Sequence, residues 1–594
     1  MDKKTALLQA CKSVSVKISP RAENMKWAES RDLYVDMPEG VVGRLPDLSA
    51  PYNQIIYGRR GSGKTHLLKK VALDGKPWND ASGYLAFYFS ANEFLRSIES
   101  DSQESAKIRA RDCFRSFLED FESKLVSTGD QILKHDSLWS RFGLNKSLYR
   151  DQFQTVLLDL AYVLKRGQLI PRLSKSKAKL SSSYIKENTT SSHVDHSAAG
   201  KASVFGPAVT GKLGVSIDAG ENIERGTYEG GHKREVDYYS RSVGLPAIRR
   251  SLRELGSIID TPHIYILIDE WSSLGEMQID FAEMLHRTLF QLDFIVVKLA
   301  GYRHTTSLSN GASQPHFRGI EINADIFEAG DLDWEPSNPK CVDFFYRILY
   351  KRLLYVEPSI ANYYGPMENF DSTTFTDDVF TRGANKRLVL GSHGIVRDFL
   401  SAFENASQAV EWGIYPRAIR NSVVDSALIK LSRIVESETA ESNDIGGFLH
   451  EKIKPLVART GKPYFFVRID SAPLNADVRN LVARRFLHPV STEQLHNSIA
   501  EEYRCFRVAQ GFYLRWMKAA MFNNKDLRVD EGHMDGVSDV TLDSVKEHEL
   551  PIDAKSVNYL LCQHCSKTFP TDSDSFLKAR LCPHCYKDNS SQTS

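Results

Sequence analysis

Tyr57-Gly58-Arg59-Arg60-Gly61-Ser62-Gly63-Lys64-Thr65 is the stretch on which the fold turns. It fits G-x-x-x-x-G-K-[ST], and its flanks fit too. The apolar run Gln54-Ile55-Ile56-Tyr57 precedes it, and the helical run His66-Leu67-Leu68-Lys69-Lys70 follows. Strand, phosphate loop and helix is the context this motif requires. Its glycines let backbone N–H groups curl around phosphates. Gly58, Gly61, Ser62, Gly63, Lys64, Thr65 and His66 are therefore the candidate contacts for ATP. Lys64 would reach the β- and γ-phosphates, and the Thr65 hydroxyl would hold Mg²⁺.

Working outward, Tyr84-Leu85-Ala86-Phe87-Tyr88-Phe89 reads as a second strand, apolar enough to be buried on both faces of a parallel sheet. His263-Ile264-Tyr265-Ile266-Leu267-Ile268-Asp269-Glu270 reads as another, ending in two carboxylates, and Phe294–Ala300 as the next. Helical patterns at 243–259 and 278–292 alternate with them, which predicts an open α/β sheet. Ligands of such sheets sit outside the carboxyl ends of the strands, so the loop and Asp269-Glu270 converge. Asp269 is placed to hold Mg²⁺ through its water shell, and Glu270 to polarise an attacking water as general base. The strand after them runs on into Gly301-Tyr302-Arg303-His304. Arg303 is the first choice, and Lys298 the second, for a side chain facing the γ-phosphate; an Arg exposed at a strand end reads equally well. Gly394-Ile395-Val396-Arg397 opens a helix from which Arg397 would reach back to the phosphates. Arg287 and Arg318 are candidates to act on a neighbouring subunit's nucleotide, and the sequence selects neither.

The chain has 594 residues, enough for three or four domains at about 150 each. Hydrophobic content of 42% and charged content of 25% describe a globular protein with several cores. Lys+Arg (76) and Asp+Glu (75) nearly cancel, so net charge gives no support for a dedicated nucleic-acid binder. No apolar run approaches a membrane span, and Met1-Asp2-Lys3-Lys4 lacks a signal-peptide core, so the expected location is the cytoplasm, with no membrane partner.

Residues 1–50 read as a lead-in and 51–335 as the nucleotide-binding core. Residues 168–240, rich in Ser, Lys, Gly and Thr, read as an insertion, part flexible and part short strands such as Lys212–Ile217. Residues 336–450 read as a helical lid, 451–545 as a winged-helix-like domain and 546–594 as a terminal module and tail. That module carries Cys562-Gln563-His564-Cys565 and Cys582-Pro583-His584-Cys585. Two C-x-x-C pairs at this spacing fit a closed, structural Cys₄ zinc ribbon; four thiolates satisfy the metal, which leaves His564 and His584 as bystanders. The stretch 464–518 interleaves Arg479, Arg484, Arg485, Arg504, Arg507, Arg515 and Lys518 with Phe486, Tyr503, Phe512, Tyr513 and Trp516. A winged helix would present such residues to DNA phosphates; aromatic residues at helical spacing also read as core.

With these motifs in order, the chain resembles an AAA+-type P-loop ATPase. More narrowly, it resembles the bacterial ATPases related to origin-recognition-complex initiators, through Ser49-Ala50-Pro51-Tyr52-Asn53-Gln54 leading into Gly58-Arg59-Arg60-Gly61. The resemblance covers residues 50–100 and 243–410, and more loosely the winged-helix-like region to about 520. It implies an α/β fold with an open parallel sheet and helical lid. It also implies ATP and Mg²⁺ at Lys64, Thr65, Asp269 and Glu270, with Gly394 and Arg397 as the lid's sensor. The insertion and the zinc ribbon are not parts of the usual initiator. Relatives with extra modules also resemble the signal-transducing ATPases of bacterial conflict and anti-phage defence. The expected function is an ATP-hydrolysing switch that self-associates or recruits a protein effector in defence or in a mobile element. The alternative is a DNA-binding, initiator-like ATPase that loads or positions another protein.

Overall fold

The computed structural model describes residues 3–19, 21–37, 47–75, 84–96, 106–134, 151–152, 154–160, 169–172, 238–241, 245–259, 263–303, 305–310, 318–332, 338–410, 419–437, 448–468, 476–490, 495, 497–523, 542–550, 559–561 and 568–570. Strands are numbered along the chain as β1 (Gln54–Tyr57), β2 (Tyr84–Ser90), β3 (Leu169–Arg172), β4 (Tyr238–Arg241), β5 (His263–Asp269), β6 (Ile295–Ala300) and β7 (Phe327–Asp331). Then come β8 (Tyr464–Arg468), β9 (Leu487–Pro489), β10 (Tyr503–Val508), β11 (Tyr559–Leu561) and β12 (Thr568–Pro570). The chain divides into two units, one of Met1–Ser102 with Thr261–Ser594 and one of Gln103–Asp260.

The first unit is built on a five-stranded sheet in the order β2-β5-β6-β1-β7, with every neighbour parallel. Parallel strands must be covered on both faces, which is why β5 and β6 are apolar runs with almost no alternation. The helix Lys64–Asp74 lays Leu67, Leu68, Val71 and Ala72 on the sheet against Ile56, Tyr265, Leu267 and Val296. Because the strands run one way, the ends of β1, β2 and β5 share an edge. That puts the phosphate loop, Ser90 and Asp269 together.

The stretch expected as a lid comprises the helices Pro339–Val356, Ser372–Val379, Ala384–Gly391, Val396–Gln408 and Asn421–Ser437. Its core holds Phe345, Leu349, Tyr350, Phe399 and Phe403. The first residues are not a separate lead-in. The helix Lys3–Lys17 buries Ala6, Leu7, Ala10, Cys11 and Val14, at three- and four-residue steps, in that same core. The helix Trp27–Asp32 belongs to the nucleotide-binding side: Trp27 meets Tyr88 edge-on at 5.7 Å, and the Lys69 ammonium donates to the Ala22 and Met25 carbonyls.

The C-terminal part of this unit has a three-stranded antiparallel sheet, β8-β10-β9, packed with the helices Lys454–Thr460 and Gln510–Asn523. The helix Ala476–Ala483 leads into this sheet. Arg485 there turns into the left-handed region (φ +68°), which stops the helix and lets Leu487 begin β9. Phe486, Tyr503, Phe512, Tyr513 and Trp516 are all buried. The aromatic half of the 464–518 pattern is therefore core and not a surface on which bases stack.

In the second unit the helix Ala106–Lys134 buries Ala110, Cys113, Phe114, Phe117, Leu118, Phe121 and Leu125. The helix Leu245–Ile259 buries Ile248, Leu252 and Leu255. β3 pairs antiparallel with β4, so the two ends of the expected insertion lie side by side. Lys212–Ile217 and the rest of 173–237 lie outside the described residues, as do Cys562, Cys565, Cys582 and Cys585. β11 and β12, on either side of the first C-x-x-C pair, form an antiparallel ladder. Among the described residues no helix is long and apolar enough to cross a membrane.

Candidate nucleotide site

The loop between β1 and the helix Lys64–Asp74 is wrapped as a phosphate cradle requires. Gly61 and Gly63 take φ of +91° and +110°, values that side chains other than glycine rarely adopt. At Gly61 there is a second reason for glycine. A Cβ there would lie 2.8 Å from the Arg397 Cβ and 3.0 Å from the Ile395 Cγ2. The Lys64 ammonium sits inside the loop, donating to the Gly58 carbonyl at 2.5 Å and the Arg59 carbonyl at 3.0 Å. The Thr65 hydroxyl donates to Asp269 Oδ2 at 2.5 Å, and the Tyr88 hydroxyl donates to the same oxygen at 3.0 Å. Asp269 is buried, and its other oxygen accepts from the Glu270 N–H at 2.8 Å. A hydroxyl and a carboxylate held side by side are hard oxygen donors suited to Mg²⁺. Among the described residues no cluster of three or more His, Cys, Asp or Glu side chains could hold a metal ion.

Glu270 adjoins this pair in a left-handed conformation (φ +56°) unusual for a side chain of its kind. Its Oε2 accepts from the Ser90 hydroxyl at 2.8 Å and from Asn92 Nδ2 at 2.5 Å. Sequence reasoning missed Ser90 and Asn92. Strand register brings them there, since Ser90 ends β2 directly beside Asp269, and the sequence does not show that register.

The remaining candidates divide. Arg397 is brought to the loop: its backbone N–H donates to the Gly61 carbonyl at 3.2 Å, and it is buried. Arg303 engages Glu328 of β7 with both guanidinium nitrogens and lies 4.5 Å over the Tyr57 ring. Lys298 does not serve as a phosphate reporter. It pairs in register with Gln54, the first residue of β1, and donates to the Ala50 and Tyr52 carbonyls and to Gln54 Oε1. There it ties down the approach to β1, away from the loop, and burial lowers its pKa to about 7. The His66 imidazole faces the N-terminal segment, against the Ser30 carbonyl, and burial lowers its pKa to about 4. Arg287 and Arg318 form ion pairs with Glu283 and Asp280.

Residues 19–120 match a family model described as ORC-CDC6-like. No curated protein matches the chain. The ORC-CDC6-like segment takes in β1, the phosphate loop, β2 and Asn92, and stops before β5. The matched segment and the five-stranded parallel sheet agree with a P-loop ATPase fold of the AAA+ type.

One residue of the ORC-CDC6-like segment points away from the cradle. Arg59 is buried, donating to the His393 carbonyl at 2.7 Å and to His488 Nδ1 at 2.9 Å. The His393 and His488 rings stack at 4.0 Å, and the Gln510 N–H donates to His393 Nε2 at 3.0 Å. Asp398 pairs with Arg485, both of them buried. The sequence held no local sign of this cluster, because its members come from three separate stretches, at 59, 393–398 and 485–510.

Proposed function

We propose that the chain is an ATP-binding and ATP-hydrolysing switch of the AAA+ type. The observation that carries the reading is the convergence of Lys64, Thr65, Asp269 and Glu270 on one edge of a parallel sheet, beside a loop already curled for phosphates. Thr65 and Asp269 would hold Mg²⁺, which neutralises charge on the phosphates when bound. Lys64 would turn from the loop carbonyls to the β/γ-phosphates, and Glu270 would take a proton from the attacking water. Arg397, seated on the loop from the lid, supports a role in sensing the bound phosphates. Arg303 would join it only by leaving Glu328.

Lys64→Ala should abolish nucleotide binding, whereas Glu270→Gln should keep binding and stop hydrolysis. Both are read by titration with ATP and by phosphate release. Normal hydrolysis in the two variants would overturn the site.

The wider role we infer is recruitment of a protein effector, with self-association, in a bacterial defence or mobile-element system. The extra modules support it: an insertion whose ends are paired, and a terminal hairpin carrying C-x-x-C, the shape a Cys₄ zinc ribbon takes. The match at 19–120 favours a second reading, an initiator-like ATPase working on DNA through a winged-helix-like C-terminal sheet. Under that reading DNA affinity falls steeply between about 50 and 200 mM salt, as phosphate contacts demand. Absence of such binding leaves the effector reading.

A further inference from the structure

The cluster around Arg59 joins three parts of the first unit: the phosphate loop, the turn that opens the lid helix Val396–Gln408, and the C-terminal sheet. Its geometry fixes the protonation of both imidazoles. His488 Nδ1 accepts from a guanidinium, and His393 Nε2 accepts from a backbone N–H, so each ring is the neutral form with its proton on the other nitrogen. Burial above all, with Arg507 and Arg59 near both rings, holds both well below the ordinary imidazole range.

Backbone strain marks the same place. Among the described residues, Glu270, Asn323, His393 and Arg485 are the non-glycine positions with positive φ. His393 and Arg485 belong to this cluster, from opposite sides of the contact between lid and C-terminal sheet. Such conformations are costly and persist only where the surroundings over-determine them. Here the surroundings are the stacked rings, the Arg485–Asp398 pair and the two Arg59 hydrogen bonds.

Through its carbonyl, Arg59 also accepts from Lys64, the residue that must turn to the phosphates. One residue thus touches the phosphate-binding lysine with its backbone and the C-terminal sheet with its side chain. We infer that Arg59 is a positioning residue through which docking of the C-terminal sheet, by His488, sets the nucleotide affinity of the phosphate loop. This rests on the nucleotide-binding reading above. The sign follows from the conformation. With the sheet docked, the loop already has the curled shape that binds phosphates, so the docked state is the competent one. By linkage, nucleotide must then strengthen docking by the same factor. A partner that pulls the C-terminal sheet away would eject nucleotide, and loss of nucleotide would loosen the sheet.

The test uses the full chain with Mg²⁺ and a non-hydrolysable ATP analogue. His488→Ala should weaken binding by about 5- to 150-fold, the usual range for coupled sites. His488→Gln, whose side-chain oxygen still accepts from Arg59, should restore most of it. A destabilised but uncoupled site would not show that rescue. In the wild type, the analogue should slow amide exchange across 485–490 and 504–512. Wild-type affinity in His488→Ala, or exchange there that is unchanged or faster on binding, overturns the coupling. Lys64→Ala separates the two ideas. If wild type binds and Lys64→Ala does not, the site reading stands whatever His488 does. If wild type does not bind the analogue, both fall.

Discussion

At the scale of single residues, Glu270 is the informative case. As the general base proposed above it would be useful only when it can reach water, and its Oε2 is held by Ser90 and Asn92. A hydrogen bond to a carboxylate is worth about 1.5–3 kcal/mol when it must be broken. Asn92→Ala removes one such tether and leaves Ser90 in place. Basal ATP hydrolysis should rise about tenfold, the rate equivalent of roughly 1.4 kcal/mol, with little change in nucleotide affinity. Steady-state kinetics beside direct binding would separate the two. A fall in turnover would mean that Asn92 aims Glu270 at water instead of restraining it.

At the scale of elements, legibility followed sequence distance. The phosphate loop could be read because its strand, glycines, lysine and helix are consecutive. Asp269 and Glu270 could be read because a buried parallel strand that ends in acids is a local pattern. The Arg59 cluster is assembled from positions 59, 393, 398, 485, 488 and 510, and no window of sequence contains it. The 464–518 stretch went the other way. Its aromatic spacing suited either a core or a binding face, and burial decided for the core. Its arginines are partly committed as well, Arg485 to Asp398 and Arg515 to Glu436. The β11–β12 hairpin is the element whose role is most directly testable. It is three residues on each side, too short to be stable alone. A metal clip across its turn would supply that stability. The purified chain should contain about one zinc, lost in Cys562→Ser/Cys565→Ser, as elemental analysis would read. A metal-free protein that resists proteolysis near residue 560 would overturn the ribbon.

At the scale of the whole molecule, buried neutral histidines make stability depend on pH. His393 and His488 are held well below their ordinary value of 6.5, and His66 is lowered to about 4. The unfolded chain binds protons below about pH 6.5 that the folded chain refuses. The stability these groups contribute is therefore present above pH 6.5 and is lost as the pH falls toward their folded values. Between pH 7 and 5 each histidine that stays neutral in the fold costs about 2 kcal/mol. Glu404, raised by burial to about 7, acts in the opposite sense between its unfolded value and pH 7. The comparison should therefore be with a variant. His488→Gln should lose about 2 kcal/mol less than wild type on going from pH 7 to 5, measured by denaturant unfolding. Identical slopes would mean that His488 takes up its proton within the fold.

The ladder between β3 and β4 has a consequence for how the chain can change. Leu169 faces Arg241 and Arg172 faces Tyr238, so Arg172 and Tyr238 stand at neighbouring points, one strand spacing of about 4.8 Å apart. The opening works as a socket. A passenger of any length between Arg172 and Tyr238, or a two-residue turn in its stead, meets the same pair of ends. Lengthening or exchanging it adds nothing to the distance the framework must bridge. A lineage, or an engineer, can refit that socket while the phosphate edge stays as it is.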